Sequence, residues 1–240
     1  MLHTVIQFIT DPQNHFLGET ATTLKLSFVP FLLSLLIAAP IGVLVAQRPW
    51  LAFLAVNFSG LARAIPTLAF LAIALPYLGI GFVPAVFALT ALGVPPILLN
   101  TVEGLRAIDP ATVDAARGMG MTTTQILTRI QVPLVLPILA AGARTALVQI
   151  VATVPIAALI GAGGYGDYIT LGLANEVNLP DLVLGAIAIA LLALLAELGM
   201  AMLQRTVTPP GLRSEKEIQR AQRDAVRSAS SPGASAVTTP

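Results

Sequence analysis

The stretch EGLRAIDPATVDAARGMGMTTTQILTRIQVP, residues 103–133, decides the fold because it is a polar island in an apolar chain. It holds three arginines, one glutamate and two aspartates, whereas only 10% of all residues are charged. Long apolar segments flank it on both sides. The stretch, called the polar loop from here on, must therefore lie in water beside a membrane.

The first half of the polar loop predicts a short helix. Asp109 precedes Pro110, and an aspartate followed by proline is typical of a helix N-cap with proline at the first helical position. The predicted helix runs to about Arg117. It stops at the Gly-Met-Gly sequence of residues 118–120, where Gly120 is free to take a backbone conformation that ends a helix.

The second half predicts another helix. Thr122 and Gln125 match the capping box, in which the two side chains satisfy each other's free backbone amides. This helix is predicted to end at Pro133. Three apolar residues fall on one of its faces: Ile126, Leu127 and Ile130.

Composition predicts an all-α integral membrane protein. Hydrophobic residues make up 56% of the chain, which is not typical of a soluble domain. Apolar runs of about 20 residues are long enough to cross a bilayer as helices. About five transmembrane helices are predicted, at residues 26–47, 51–76, 80–101, 134–160 and 182–204. Prolines within these runs favour a packed bundle over separate anchors.

The charge distribution predicts the orientation. With the polar loop in the cytoplasm, five spans place the N-terminus outside and the C-terminus inside. Ten of the 13 basic residues then lie on the inner side, as the positive-inside rule requires. Residues 1–21 are predicted to be an extracytoplasmic or interfacial segment, residues 22–204 the membrane domain, and residues 205–240 a cytoplasmic, largely disordered tail.

The spacing inside the polar loop resembles a family signature. Permease subunits of ATP-binding-cassette (ABC) importers carry a cytoplasmic loop with the pattern Glu-Ala-Ala, three residues, Gly, nine residues, Ile, one residue, Leu-Pro. The matching positions here are Asp114, Ala115, Ala116, Gly120, Ile130, Val132 and Pro133. Asp114 stands in place of Glu, and Val132 in place of Leu; both replacements are conservative.

Further segments narrow the resemblance to permeases for osmoprotectants, namely glycine betaine, carnitine and choline. These segments are RAIPTLA at 63–69, NT at 100–101, DP at 109–110, AARGMGM at 115–121, AGARTA at 141–146 and IGAGG at 160–164. The resemblance covers roughly residues 20–204. It implies a type I ABC importer permease domain in a bacterial cell membrane.

The resemblance also implies partners. A separate ABC ATPase would dock on the polar loop, an extracytoplasmic binding protein would deliver the solute, and a second copy or a paralogue would complete a dimer in the lipid bilayer. The sequence contains no Gly-x4-Gly-Lys-Ser/Thr motif, so no ATPase activity by a P-loop is expected from this chain. Neither a cofactor, a metal nor a nucleic-acid partner is predicted.

Three ionisable residues fall within predicted spans, where a charge is costly and marks a candidate site. They are Arg63, which lies beside the possible kink at Pro66, and Arg144 and Glu197. Two interpretations are open for them: structural pairing within the membrane, or lining of the transport pathway. Few aromatic residues are present and the tyrosines lie near span ends, so no aromatic cage for a quaternary ammonium group is expected.

The glycine-rich sequence GAGGYG, residues 161–166, satisfies a dinucleotide-binding pattern by its letters alone. It follows an apolar span instead of a strand, so a tight turn at the outer mouth is the better interpretation. Its glycines are Gly161, Gly163, Gly164 and Gly166.

The residues leave three alternative functions open. They are an amino-acid or methionine importer permease of related architecture, a membrane scaffold, and an intramembrane enzyme. The enzyme alternative lacks a cluster of acidic or histidine residues within the spans.

Overall fold

The computed structural model describes residues 15–64, 75–174 and 179–207, and these residues form helices without a strand. The main elements are α1 (Phe16–Ala46), α2 (Pro49–Ala64), α3 (Phe82–Arg106), α4 (Pro110–Gly118), α5 (Thr123–Ile126), a π-helical turn (Leu127–Gln131), α6 (Val132–Ala158), α7 (Gly166–Ala174) and α8 (Leu179–Val207). The predicted tail beyond residue 207 lies outside the described residues.

Apolar helices confirm the predicted fold class. Within the described ranges, four helices are long and apolar enough to cross a membrane: Phe16–Ala46, Phe82–Arg106, Thr123–Ala158 and Leu182–Val207. A shorter apolar helix, Pro49–Ala62, falls in the second predicted span. The middle of that span, residues 65–74, lies outside the described residues.

Several helix boundaries differ from the predicted spans. The first helix begins at Phe16, ten residues before the predicted start of its span, so residues 16 to 21 are helical and continuous with that span. The third helix continues to Arg106, inside the polar loop. A further short helix, α7, follows the glycine-rich turn, where only a polar segment was predicted.

Helix α3 passes through Pro95 and Pro96 without a break. Proline removes a helical hydrogen bond and usually kinks or ends a helix. Both residues are buried here, between α1 and α6. Packing on both sides holds the helix together across the two positions.

The core lies where α1, α3 and α6 meet. Its largest buried side chains include Leu26 of α1, Leu89 and Ile97 of α3, and Ile150 and Val154 of α6. Large apolar residues on the outer faces of α1 and α8, among them Leu36 and Leu195, remain exposed. This distribution suits a bundle with a tightly packed centre and a lipid-facing surface.

Most buried hydroxyl groups inside the described helices are satisfied by the backbone, and the Ser59 hydroxyl is an exception. Thr23, Ser27, Thr101 and Thr153 each donate to the carbonyl four residues earlier, at 2.7 to 2.8 Å. Ser34 Oγ also lies 2.9 Å from the carbonyl oxygen of Thr90, which joins α1 to α3. A membrane offers no water to these groups, so such local bonds allow polar residues at this depth.

Candidate functional site

The first helix of the polar loop begins as predicted. The Asp109 carboxylate accepts a hydrogen bond from the Ala111 amide at 2.9 Å, and Pro110 occupies the first turn of α4. A proline there loses no bond, because the first helical amides have no partner within the helix. Residues within one helical turn, Asp109 and Pro110, therefore determine where α4 begins.

The end of α4 depends on Gly120, whose φ is +81°. The amide of Gly120 donates to the Arg117 carbonyl at 2.9 Å, and the amide of Met121 donates to the Ala116 carbonyl at 3.2 Å. A left-handed glycine with these two bonds is a typical helix C-terminal cap. Met119, which is 72% exposed, projects at the tip of this turn.

The second helix of the polar loop begins with the predicted capping box. Thr122 Oγ1 accepts from the Gln125 amide at 3.3 Å, and Gln125 Oε1 accepts from the Thr122 amide at 2.9 Å. Ile126, on the predicted apolar face, is buried. Two helices with fixed ends thus form a preorganised loop at the membrane surface.

The predicted end of this helix at Pro133 is wrong. The chain continues as helix from Thr123 through the π-helical turn and along α6 to Ala158. At the end of the turn, the Val132 amide donates to the Leu127 carbonyl, five residues back. The wider turn ends just before Pro133, and the chain stays helical across this residue although it has no amide to donate.

The residues that match the family pattern differ in exposure. Asp114, Ala115 and Gly120 are exposed, whereas Ala116 is buried. Asp114 pairs with Arg117 at 3.1 Å on the open surface, where such a pair contributes less than about 1 kcal/mol. Exposed backbone and small side chains therefore form a face on which another protein can dock.

Arg144 of α6 and Glu197 of α8 form an ion pair between two apolar helices. Their side chains are 36% and 33% exposed in the isolated chain. Near them, the Gln204 side-chain amide of α8 donates to the Pro137 carbonyl of α6 at 3.3 Å. Arg63 lies in α2 but its side chain is not described, and Pro66 is outside the described residues.

Replacing one residue of the Arg144–Glu197 pair is expected to destabilise the fold more than replacing both. Glu197→Gln leaves an arginine charge unpaired at membrane depth, which we expect to cost about 1–3 kcal/mol after allowing for its partial exposure. The double variant Arg144→Leu with Glu197→Leu leaves no charge and should recover most of that loss. Thermal unfolding of both variants in detergent tests this, and equal destabilisation of the two would contradict it.

The glycine-rich turn, residues 161–166, lies at the other end of α6. Gly161, Gly163 and Gly164 have φ values between +72° and +88°. The Gly161 amide donates to the Ala158 carbonyl at 2.9 Å, and the Ala162 amide donates to the Ala157 carbonyl at 3.2 Å. These bonds attach the turn to the end of α6, and Gly166 begins α7.

The first turns of α1 hold the glycine-rich turn by three hydrogen bonds, which we call the clip. Glu19 Oε2 accepts from the Gly164 amide at 2.5 Å, and Thr23 Oγ1 accepts from the Tyr165 amide at 2.8 Å. The Thr20 and Tyr165 hydroxyls lie 2.8 Å apart. The clip joins residues about 145 positions apart, so no local sequence pattern predicts it.

An aromatic cluster lies beside the clip, near the end of a span. The rings of Phe16 and Tyr165 are stacked with centroids 5.5 Å apart, and those of Tyr165 and Tyr168 are 6.4 Å apart. Both tyrosines are buried. Stacked rings cover each other's faces, so this cluster is a packing core and not an open cage.

Asp167, at the start of α7, is expected to make stability depend on pH. Burial raises the pKa of its carboxyl above the ordinary value, and the nearby Glu19 carboxylate raises it further. The folded protein thus holds this proton more tightly than the unfolded chain. Stability should be greatest below the ordinary pKa and fall as the pH rises through the raised one.

The variant Asp167→Asn, which cannot ionise, tests this pH dependence. It should unfold at a higher temperature than the wild type at pH 7.5, and the difference should shrink at pH 4.5. A difference that stays constant between the two pH values would show that ionisation of Asp167 does not affect stability.

These features define a class of protein: a multi-helix membrane component with a preorganised polar loop on one side. Residues 38–209 match the family described as "Binding-protein-dependent transport system inner membrane component", and the chain belongs to that family. It is thus a transport permease of the inner membrane.

Curated relatives span nearly the whole chain. It is 34% identical to the carnitine transport permease protein OpuCB of Listeria monocytogenes, over 89% of this chain and 97% of the relative. It is 32% identical to the glycine betaine/carnitine/choline permease OpuCB of Bacillus subtilis, over 90% and 100%. The osmoprotectant permease OsmW of Salmonella typhimurium is 33% identical, over 87% and 99%.

Solved structures share the fold. A chain from the structure described as "Inward facing conformations of the MetNI methionine ABC transporter" aligns with a TM-score of 0.73 and 24% identity, over 83% of this chain and 100% of that chain. An amino acid ABC transporter aligns with a TM-score of 0.57 and 18% identity, over 80% and 93%. At these identities the likeness concerns architecture alone.

Proposed function

We propose that this chain is the permease subunit of an ATP-driven importer for osmoprotectants that carry a quaternary ammonium group, such as glycine betaine, choline and carnitine. Its helices form part of the translocation pathway, and its polar loop faces the cytoplasm. Support for the solute class comes from the names of relatives at 32–34% identity that cover nearly their whole length. The solved amino-acid and methionine transporters are more distant and favour only the shared fold.

The observation that carries the coupling proposal is the continuity between the polar loop and the bundle. A cap at each helix start fixes the loop, and its second helix runs directly into α6. A force applied at the loop therefore reaches the membrane core through backbone hydrogen bonds. Rigid elements of this kind transmit motion between alternative packed arrangements.

A separate ATPase would supply that force. The printed sequence lacks a P-loop motif, so ATP hydrolysis by that route is assigned to another polypeptide. Asp114, Ala115 and Gly120 would form the docking face, and the buried Ala116, with Ile130 and Pro133, would hold the loop in shape. An extracytoplasmic binding protein would deliver the solute.

A second permease subunit, either another copy or a paralogue, would complete the pathway. The Arg144–Glu197 pair is consistent with both an interface with that subunit and an aqueous path, because a partly exposed charge does not suit lipid contact.

Uptake into proteoliposomes tests the proposal. The vesicles contain this chain, its paralogue where one is encoded, and the cognate ATPase with internal ATP, and purified binding protein is added outside. Labelled glycine betaine, choline, carnitine and methionine are compared at equal concentration. We expect uptake of at least one quaternary ammonium solute that requires both ATP and the binding protein. Uptake of methionine alone would favour the amino-acid alternative, and failure of the ATPase to associate would contradict the importer assignment.

A further inference from the structure

The clip and the polar loop lie at opposite ends of one helical rod. Thr123–Ala158 is continuous over 36 residues, which corresponds to about 50 Å at 1.5 Å per residue. The loop helix forms the first end. At the second end, the glycine-rich turn is attached to α6 by hydrogen bonds and by close packing of Gly166 against the Pro155 carbonyl. The turn must therefore move with the rod.

Helix α1 contacts both α3 and the rod in the core. It packs most extensively against α3, and Ser34 of α1 hydrogen-bonds to the Thr90 carbonyl of α3. In the core it shares an apolar cluster with the rod, and this cluster includes Leu26 of α1 and Leu147 and Ile150 of the rod. Apolar contacts are non-directional and tolerate small sliding movements. The clip, in contrast, consists of directional hydrogen bonds that are either formed or broken.

The hydrogen bonds of the clip are also of a kind that can form and break reversibly. Glu19 gives it a charge-assisted hydrogen bond, which is stronger than a neutral one. Thr23 is buried, so the bond that it accepts from the Tyr165 amide is shielded from water while the clip is closed. Thr20 donates its own hydroxyl proton to the Phe16 carbonyl at 2.7 Å, which makes Tyr165 the donor in their contact. Each hydrogen bond of the clip thus has a defined donor and acceptor.

We infer that the clip is a latch that closes the outer mouth, and that movement of the rod by the ATPase opens it. Glu19 and Thr23 would then be positioning residues for the transport cycle, without contacting the solute. This inference rests on the proposed function, because the polar loop must dock an ATPase for the rod to be driven. It assigns a role in the transport cycle to the first turns of α1, which lie outside the family pattern in the polar loop.

A distance measurement tests the latch without disturbing its hydrogen bonds. The Thr22 methyl group and an Asp167 carboxylate oxygen lie 3.3 and 4.0 Å from the position that a Cβ on Gly163 would occupy. The chain contains no cysteine, so Thr22→Cys with Asp167→Cys provides a unique pair for a short bifunctional thiol reagent. The assembled transporter is compared without nucleotide and with ATP and vanadate plus loaded binding protein.

Cross-linking should be efficient without nucleotide and fall about fivefold or more in the trapped state, since breaking a directional contact separates the two elements. An unchanged yield in a complex whose ATPase is stimulated by the binding protein would overturn the latch. Absence of that stimulation in the wild type would instead overturn the proposed function, so the two failures are distinguishable.

A second measurement uses ATPase activity without binding protein. Glu19→Gln replaces a charge-assisted bond with a neutral one, and Thr23→Val leaves the Tyr165 amide without its acceptor. Thr23→Val should weaken the closed state and raise the unstimulated ATPase rate about fivefold, and Glu19→Gln should raise it less, because it also removes the repulsion between Glu19 and Asp167. Thr22→Val is the matched control, because Thr22 bonds only within its own helix, to the Gly18 carbonyl at 3.0 Å. Equal rates in all three variants would contradict the inference.

Discussion

Replacing Gly120 with valine is expected to abolish coupled transport while leaving the protein inserted and folded. The φ of +81° at this position is unfavourable for a β-branched residue, and enforcing it costs about 1–3 kcal/mol. The loop would relax to another conformation and displace its docking face. Because each 1.4 kcal/mol changes a population tenfold, we expect ATP-driven uptake to fall by about tenfold or more.

Gly118→Val is the matched control for that experiment. Gly118 is the last residue of α4, and neither Gly118 nor Gly120 has another atom within 4 Å of an added Cβ. Only Gly120 has a positive φ, so the pair separates backbone conformation from side-chain bulk. Gly118→Val should keep uptake within about twofold of the wild type, since surface substitutions usually cost less than 0.5 kcal/mol. Equal loss in both variants would show that the conformation of Gly120 is not the cause.

Replacing Gly142 with leucine is expected to have the largest effect on stability. An added Cβ would lie 2.7 Å from the Asn100 Cβ and 2.8 Å from the Pro96 carbonyl oxygen, so α3 and α6 would have to separate. Overpacking of this kind costs about 3 kcal/mol or more when backbone is involved. For a chain of this size that corresponds to a decrease of roughly 10 °C in unfolding temperature.

The unfolding temperature can be followed as the loss of monodisperse protein from gel filtration after heating in detergent. Gly199→Leu is the matched control, because an added Cβ on Gly199 of α8 meets no atom within 4 Å. Its unfolding temperature should stay close to that of the wild type. Similar decreases for both variants would indicate that helix separation at Gly142 is not the source of the instability.

The parts of the structure that were predictable from sequence are those fixed by local chemistry. Asp109 and Pro110 start α4 because a carboxylate and a missing amide act within one helical turn. Thr122 and Gln125 form their capping box for the same reason. Long apolar runs likewise predict membrane helices, since a helix satisfies all of its backbone hydrogen bonds within one segment.

Other features of the structure are not predicted by local sequence patterns. The helix passes Pro133 because a π-helical turn widens the backbone just before it, whereas proline alone predicts an end. The clip and the aromatic cluster bring the start of α1 to a turn about 145 residues later. Residues so far apart in sequence are matched by packing of the whole bundle, so their proximity was not visible in the sequence.

The central claim is that the polar loop docks an ATPase, and site-specific cross-linking tests it most directly. A cysteine at Met119, which is 72% exposed at the loop tip, is labelled with a short photoreactive reagent in the assembled complex. Leu17→Cys, at an 81% exposed position near the start of α1, serves as the control. We expect the ATPase subunit to be captured from position 119 and not from position 17. A complex that hydrolyses ATP yet gives no capture from position 119, or equal capture from both, would contradict the claim.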